Sequence, residues 1–176
     1  MTAQLLDGEA AAAAVKDDLR ERIGALEERG VTPGLGTILV GDDGPSAKYV
    51  SMKHADAAEL GMVSEDIRLP ATASQREVED AVDRLNASPS IDAYIVQYPL
   101  PAGLDFAAVM DRVDPAKDAD GLHPHNLGRL VMGEPAPLAC TPAGIVALLG
   151  FHGIELPGRH VAVVGRGLTI GRPLAN

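Results

Sequence analysis

The 176-residue sequence has no tryptophan, and aromatic residues make up only 3% of it. That scarcity leaves no row of rings on which successive bases of a single strand could stack. Positive charge is also short, with 15 Lys and Arg against 25 Asp and Glu, a formal net charge of −10. Nucleic acid and anionic membrane surfaces are therefore poor partners, and a polyanionic ligand needs basic residues or backbone N–H groups gathered locally. A single cysteine, Cys140, excludes an internal disulfide and fits a reducing compartment. The alanine run near the start has no basic flank and follows Asp7 and Glu9, so neither a signal peptide nor a membrane span is expected. A soluble, cytoplasmic protein is the expectation. There is no G-x-S-x-G or P-loop motif, which leaves serine-hydrolase and NTP-phosphate chemistry unsupported. His123-Pro124-His125, with Asp118 and Asp120 nearby, lacks further Cys or His ligands, and no metal site is expected.

What the chain does have is 46% apolar residues, enough for a real core in one domain or one domain plus part of another. Alanine-rich residues 7–29 read as a helix ended by Gly30, with Leu19, Ile23 and Leu26 at helical spacing. Residues 35–40 are a nearly continuous apolar run, the mark of a strand buried on both faces of a parallel sheet. A helix capped by Ser46 should follow, stopping at Gly61. Residues 63–69 are a more polar strand, 74–87 a helix with an apolar stripe, and 91–97 a third strand halted by Tyr98-Pro99-Leu100-Pro101. A short helix at 105–113 precedes a polar loop, 114–129, of the kind that carries function. Thr141 caps a helix with Pro142 at its first position, and 160–164 is a strand running into glycines. Strand and helix alternate, so the fold is α/β with a mostly parallel sheet, and a ligand belongs beyond the carboxyl ends of the strands.

Two features fall at those ends. Tyr49 and Lys53 are four apart on one helix face, where a ring and an amine could hold a flat heterocycle and move its proton. A surface lysine beside a half-buried tyrosine fits the same spacing. Gln97 and its prolines lie at the end of the third strand. Further on, Gly165, Gly167 and Gly171 form G-x-G-x-x-x-G after a strand, which suits either a pyrophosphate-binding turn or merely a tight one. Cys140, beside a helix start, reads as a structural cysteine before a nucleophile.

Several segments then occur together and in order: Val40-Gly41-Asp42, Ser46-x-x-Tyr49-Val50-x-x-Lys53, Gln97-Tyr98-Pro99-Leu100-Pro101, Asp114-Pro115-x-Lys117-Asp118-x-Asp120-Gly121-x-His123-Pro124-x-Asn126, Cys140-Thr141-Pro142-x-Gly144 and Val164-Gly165-Arg166-Gly167. With them the chain resembles the bifunctional methylenetetrahydrofolate dehydrogenase/methenyltetrahydrofolate cyclohydrolase family over essentially its whole length. The resemblance implies a three-layer α/β folate-binding catalytic domain (1–140), a connecting helix and linker (141–157) and the first strand and turn of a Rossmann-type NADP domain (158–176). It implies NADP-dependent oxidation of 5,10-methylenetetrahydrofolate and hydrolysis of the methenyl product to 10-formyltetrahydrofolate, in one-carbon metabolism and purine biosynthesis. It implies a homodimeric parent.

By the same resemblance Lys53 is the catalytic amine, Tyr49 stacks on the folate, Gln97 bonds the lysine and Asp120 anchors the pterin. Substrate contacts extend to Val50, Ser51, Met52, Val96, Tyr98 and Pro99. Gly165, Arg166, Gly167, Thr141 and Gly171 would meet the cofactor, with Arg166 at the 2′-phosphate. The residue types fit: a lysine must fall from about 10.4 to roughly 7–8 to act as a base at neutrality. A neutral amide can orient it without holding it protonated, and a carboxylate accepts paired N–H donors. Tyr98 stands where the family usually has Leu, Ala139 where it has Pro, and Gly167 where it has Ser. The family's nucleotide half runs on the order of a hundred residues further. The piece alone is therefore expected to bind NADP weakly, to have little dehydrogenase activity, and to expose a sticky strand at 160–164. Other nicotinamide enzymes of this plan, such as amino-acid or shikimate-type dehydrogenases, and a folate-binding or oligomerising remnant without activity, are the competing readings.

Overall fold

The computed structural model describes residues 3–176. Its elements, in chain order, are α1 (Gly8–Glu27), β1 (Gly34–Val40), α2 (Gly44–Glu59), β2 (Val63–Leu69), α3 (Gln75–Ala87), β3 (Ala93–Val96), α4 (Phe106–Arg112), α5 (Pro124–Met132), α6 (Cys140–Phe151) and α7 (Gly171–Ala175). The three strands form one parallel sheet in the order β2-β1-β3. The α/β class with a parallel sheet is thus the observed architecture.

The apolar run of the sequence becomes the central strand because it alone can be covered on both faces. On one face of β1, Ile38 and Val40 join Val78, Val82 and Leu85 of α3 and Val109 and Met110 of α4 in the main core. On the other lies α2, whose Val50 and Ala57 are buried. Each fully buried Val or Leu contributes about 1.5–3 kcal/mol relative to exposure, so α3 with four buried apolar residues is pinned firmly. Its start is a capping box: the Ser74 hydroxyl accepts from Glu77 N–H while Glu77 accepts from Ser74 N–H. Gly36 is what lets the sheet come this close. A Cβ there would lie 2.9 Å from Tyr94 Cβ on β3, its register partner, and 3.1 Å from Leu85.

Four expectations need correction. The cap of α2 is Asp43, whose carboxylate accepts from Ser46 N–H at 3.0 Å; Ser46 itself is buried inside the first turn. Similarly, α6 starts two residues earlier, with Ala139 at the cap position and no side-chain bond, so Thr141 lies within the helix. Part of the polar segment 114–129 is helical: α5 begins with Pro124 behind His123, whose ring nitrogen accepts from His125 N–H, and ends on Gly133 at φ 72°. Residues 160–164 form no strand. No described strand lies beside them, so an extended, β-prone run has no ladder to join and Val164 is fully exposed. Among the described residues no helix is long and apolar enough to cross a membrane.

Candidate active site

The cleft lies where connectivity places it, at the carboxyl ends of β1 and β3. Gly41 leaves β1 at φ 88°, which a glycine tolerates, and hands the chain to α2. The helix presents Tyr49, 59% exposed, and Lys53, half-buried, on one side. Lys53 Nζ donates to Gln97 Oε1 at 3.1 Å. That glutamine is held twice: its backbone N–H continues the ladder to Ile38 O (2.9 Å), and its side-chain amide donates to Tyr98 O (2.9 Å). With its N–H group so used, its carbonyl oxygen is left facing the amine. The Tyr98–Pro99 bond is cis, and the Tyr98 ring packs edge-on against Phe106, 5.0 Å between centroids. Met52, Ser51 and Pro99 are exposed around the opening, with Ser51 Oγ turned back to Ala47 O. Val50 has no exposed surface and Val96 is 3% exposed, so the structure places both behind the cleft wall and not at its surface.

Asp120 arrives from a separate segment, 114–123, which is fastened along its length. Tyr94 N–H donates to Lys117 O (2.8 Å) and Ala119 N–H to Tyr94 O (3.1 Å), so the chain runs briefly beside β3. The Lys117 ammonium donates to Leu85 O and Ser88 O at the carboxyl end of α3, where a cation also meets the helix dipole. Buried Asp118 accepts from His123 N–H (2.8 Å) and from the Asn126 amide (2.9 Å). Gly121, at φ 64°, then passes so close to Leu138 and Ala139 that a Cβ would lie 2.3 Å from backbone.

So held, Asp120 is half-buried, and burial pushes its carboxyl above the usual range. The Lys53 charge and the Cys140 thiol pull the other way, and Asp118 adds a smaller push upward. Cys140, exposed as a residue, turns its thiol to Ala119 O (3.1 Å) beside that carboxylate. Burial first, and the Asp120 charge second, raise the thiol to about 11. It is a neutral donor, unsuited to nucleophilic attack. Gln97, Tyr98, Asp120, Leu122, Thr141, Thr169 and Ile170 line a hollow of about 150 Å³. A larger groove of about 700 Å³ runs between α1 and α6, but its walls are mostly apolar, and its Lys16 and Asp56 pair with each other at 2.6 Å. The polar groups that could do chemistry converge on the smaller one.

The glycine segment flanks that hollow through Thr169 and Ile170. Buried Gly171 meets Gly165 so closely that a Cβ would lie 2.3 Å from Gly165 O, and Gly165 itself sits at φ 130°. Gly171 is thus required by close backbone approach and Gly165 by its positive φ, the kind of tight turn a pyrophosphate site needs. Arg166 and Gly167 are exposed, away from any ion pair seen among the described residues. No group of three or more His, Cys, Asp or Glu among the described residues is arranged to hold a metal ion.

This arrangement can be set against known proteins. Residues 6–120 match the profile of the tetrahydrofolate dehydrogenase/cyclohydrolase catalytic domain, and 139–176 that of the same family's NAD(P)-binding domain. The chain belongs to the tetrahydrofolate dehydrogenase/cyclohydrolase family. Among solved structures, the methylenetetrahydrofolate dehydrogenase-cyclohydrolase of Trypanosoma brucei, complexed with NADP cofactor and inhibitor, is 38% identical with a TM-score of 0.94. The bifunctional enzyme from Campylobacter jejuni is 35% identical (TM-score 0.93), and the silkworm (Bombyx mori) dehydrogenase 32% (0.94). These matches take in 98–99% of the chain but only 60–61% of the solved proteins, so the chain spans about three-fifths of their length. Within this family frame, spacing and connectivity brought out Lys53 and Gln97, and the family resemblance Asp120, but neither brought out the Cys140 thiol at Asp120 or the Lys117 cap. Neither contact has a local signal; each joins residues more than twenty positions apart.

Proposed function

We propose that the whole protein oxidises 5,10-methylenetetrahydrofolate with NADP+ and hydrolyses the methenyl product to 10-formyltetrahydrofolate. The observation that carries this is the 3.1 Å bond from Lys53 Nζ to Gln97 Oε1, with Asp120 close enough for the lysine charge to bear on its carboxyl. Family membership and the solved relatives support the substrate class and the cofactor.

Tyr49 offers an exposed ring for the folate to lie on, and Asp120 accepts from the N–H edge of the pterin. Gly165, Gly167 and Gly171, with Thr141 and Arg166, would hold NADP, which supplies a hydride acceptor when bound. The chain's part in that half-reaction is to hold the substrate's methylene carbon in line at the mouth of the hollow. In the hydrolytic half, Lys53 as free amine takes a proton from water as its oxygen bonds to the methenyl carbon. The ammonium then returns a proton to the ring nitrogen as the carbon–nitrogen bond breaks and the carbinol proton leaves to solvent, so charge and atoms balance. Gln97 keeps the amine aimed without adding a charge that would hold it protonated. With this reading go a homodimeric, cytoplasmic protein outside nucleic acid and membranes, serving purine biosynthesis, in keeping with the net charge of −10. With it too goes a division into 1–140, 141–157 and 158–176, supported by profile matches that end at 120 and resume at 139.

The test is Lys53→Met in the whole protein. Hydrolysis is expected to fall by about 10²–10⁴-fold, the range for a lost general acid–base, while folate binding stays measurable. Hydrolysis at the unmutated rate would remove Lys53 from the mechanism.

A further inference from the structure

In the middle of β1, among apolar neighbours, stands Thr37, with no exposed surface. Its partner across the parallel ladder is Asp66 of β2, and its hydroxyl donates to Asp66 Oδ1 at 3.2 Å. The ring of His54, on α2, comes down on the same hydroxyl: Nε2 lies 2.8 Å from Thr37 Oγ1 and 3.8 Å from Asp66 Oδ1. Arg68 Nε closes the group, 2.7 Å from Asp66 Oδ2. A hydroxyl has one proton to give. With that proton on Asp66, His54 Nε2 is the N–H donor, and the bonds run in one direction from His54 to Thr37 to Asp66.

His54 directly follows Lys53. Successive residues of a helix point roughly 100° apart, so one side chain reaches down to the sheet while the other reaches along it to Gln97. The two contacts fix α2 at two angles about its axis. A valine at position 37 would fill the same space without needing any partner, so the hydroxyl specifies orientation more than it adds burial. We propose that His54, through Thr37 and Asp66, is a positioning residue that sets the roll of α2 and thereby aims the Lys53 amine; this rests on the function proposed above. Side-chain tips lie roughly 5–6 Å from a helix axis, so a 10° roll moves Nζ by about 1 Å. A displacement of that size costs up to about 10²-fold in rate.

The experiment compares His54→Leu, Thr37→Val and His54→Gln in the whole protein, the last placing an amide N–H where Nε2 lies. Two assays are run: hydrolysis of methenyltetrahydrofolate, for kcat and KM, and the rate at which an amine-acylating reagent labels Lys53, followed by peptide mass spectrometry. The Leu and Val variants are expected to lose about 10- to 10²-fold in kcat with KM nearly unchanged and with an altered Lys53 labelling rate. His54→Gln is expected to recover most of both. Unchanged kcat in both the Leu and Val variants overturns the proposal, as does equal damage in His54→Leu and His54→Gln, or lost kcat with Lys53 labelling unaltered. If the unmutated protein does not turn over the folate but the labelling pattern holds, the tether stands and the functional reading falls.

Discussion

Removing the Asp118 carboxylate tests whether the segment that delivers Asp120 is held as the structure shows. The side chain is 2% exposed, and one oxygen, Oδ2, accepts both from His123 N–H at 2.8 Å and from Asn126 Nδ2 at 2.9 Å. Hydrogen bonds to an ionised acceptor contribute about 1.5–3 kcal/mol each, a gross loss of roughly 3–6 kcal/mol in Asp118→Ala. Relief from burying a carboxylate offsets part of this, leaving a net cost of about 2–4 kcal/mol. For a chain of this length that lowers Tm by roughly 5–15 °C. Asp118→Asn keeps an oxygen able to accept both bonds, at about half their strength, so it is expected to lose about half as much. Urea unfolding followed by circular dichroism gives the order wild type, Asn, Ala, with the slope against denaturant unchanged. An Ala variant within about 0.5 kcal/mol of wild type, the range of a bland surface change, would falsify the anchoring. So would an Asn variant as unstable as Ala.

Two further outcomes are expected. Asp120→Asn raises stability at neutral pH while weakening folate binding: the acid is held above its free value of 3.8, so the fold bears the cost of its charge, fully present above the folded pKa. That advantage over wild type shrinks as pH falls through the raised value toward 3.8, and thermal melts of both proteins across pH 4–7 would expose an advantage that grows instead. Cys140, raised from 9.0 to about 11, is expected to react with a thiol-specific alkylating reagent about 10²-fold more slowly at neutral pH than a thiol left at 9.0; labelling at the rate of a free thiol refutes its contact with Asp120.

Local chemistry made most of the scaffold readable. The continuous apolar run became β1, the S-x-x-E box began α3, and Pro99 after Tyr98 closed β3. Alternation of strand and helix brought Lys53 and Gln97 to one edge of the sheet, because parallel strands share their carboxyl ends. Where the reading failed, a non-local term decided. The run at 160–164 has strand propensity but no neighbour, and a ladder needs two strands. The cap of α2 went to Asp43 because Pro45 and Ser46 were taken into the first turn, and Ser46 is buried there. Helix α5 had its signals in plain view, Pro124 and Gly133, yet the density of polar residues around them spoke for a loop. The setting of Asp120 was hidden more deeply, since its thiol neighbour comes from twenty residues downstream and its fastening from β3.

The missing side chain at Gly36 reaches further than its own strand. The Tyr94 Cβ stands where a methyl group at position 36 would go, and beyond it the ring carries a hydroxyl that donates to Asn86 Oδ1 at 2.7 Å, the oxygen that also takes the Asp114 N–H at 2.9 Å. A side chain at position 36 would therefore force strand β3 away or leave room only for glycine at position 94, and with glycine there the phenol is lost. Surrendering the phenol would loosen Asn86, and with it the upstream hinge of the peptide that carries Asp120. A hydrogen atom in place of a side chain, mid-sheet, thus constrains which sequences can keep a carboxylate in the cleft.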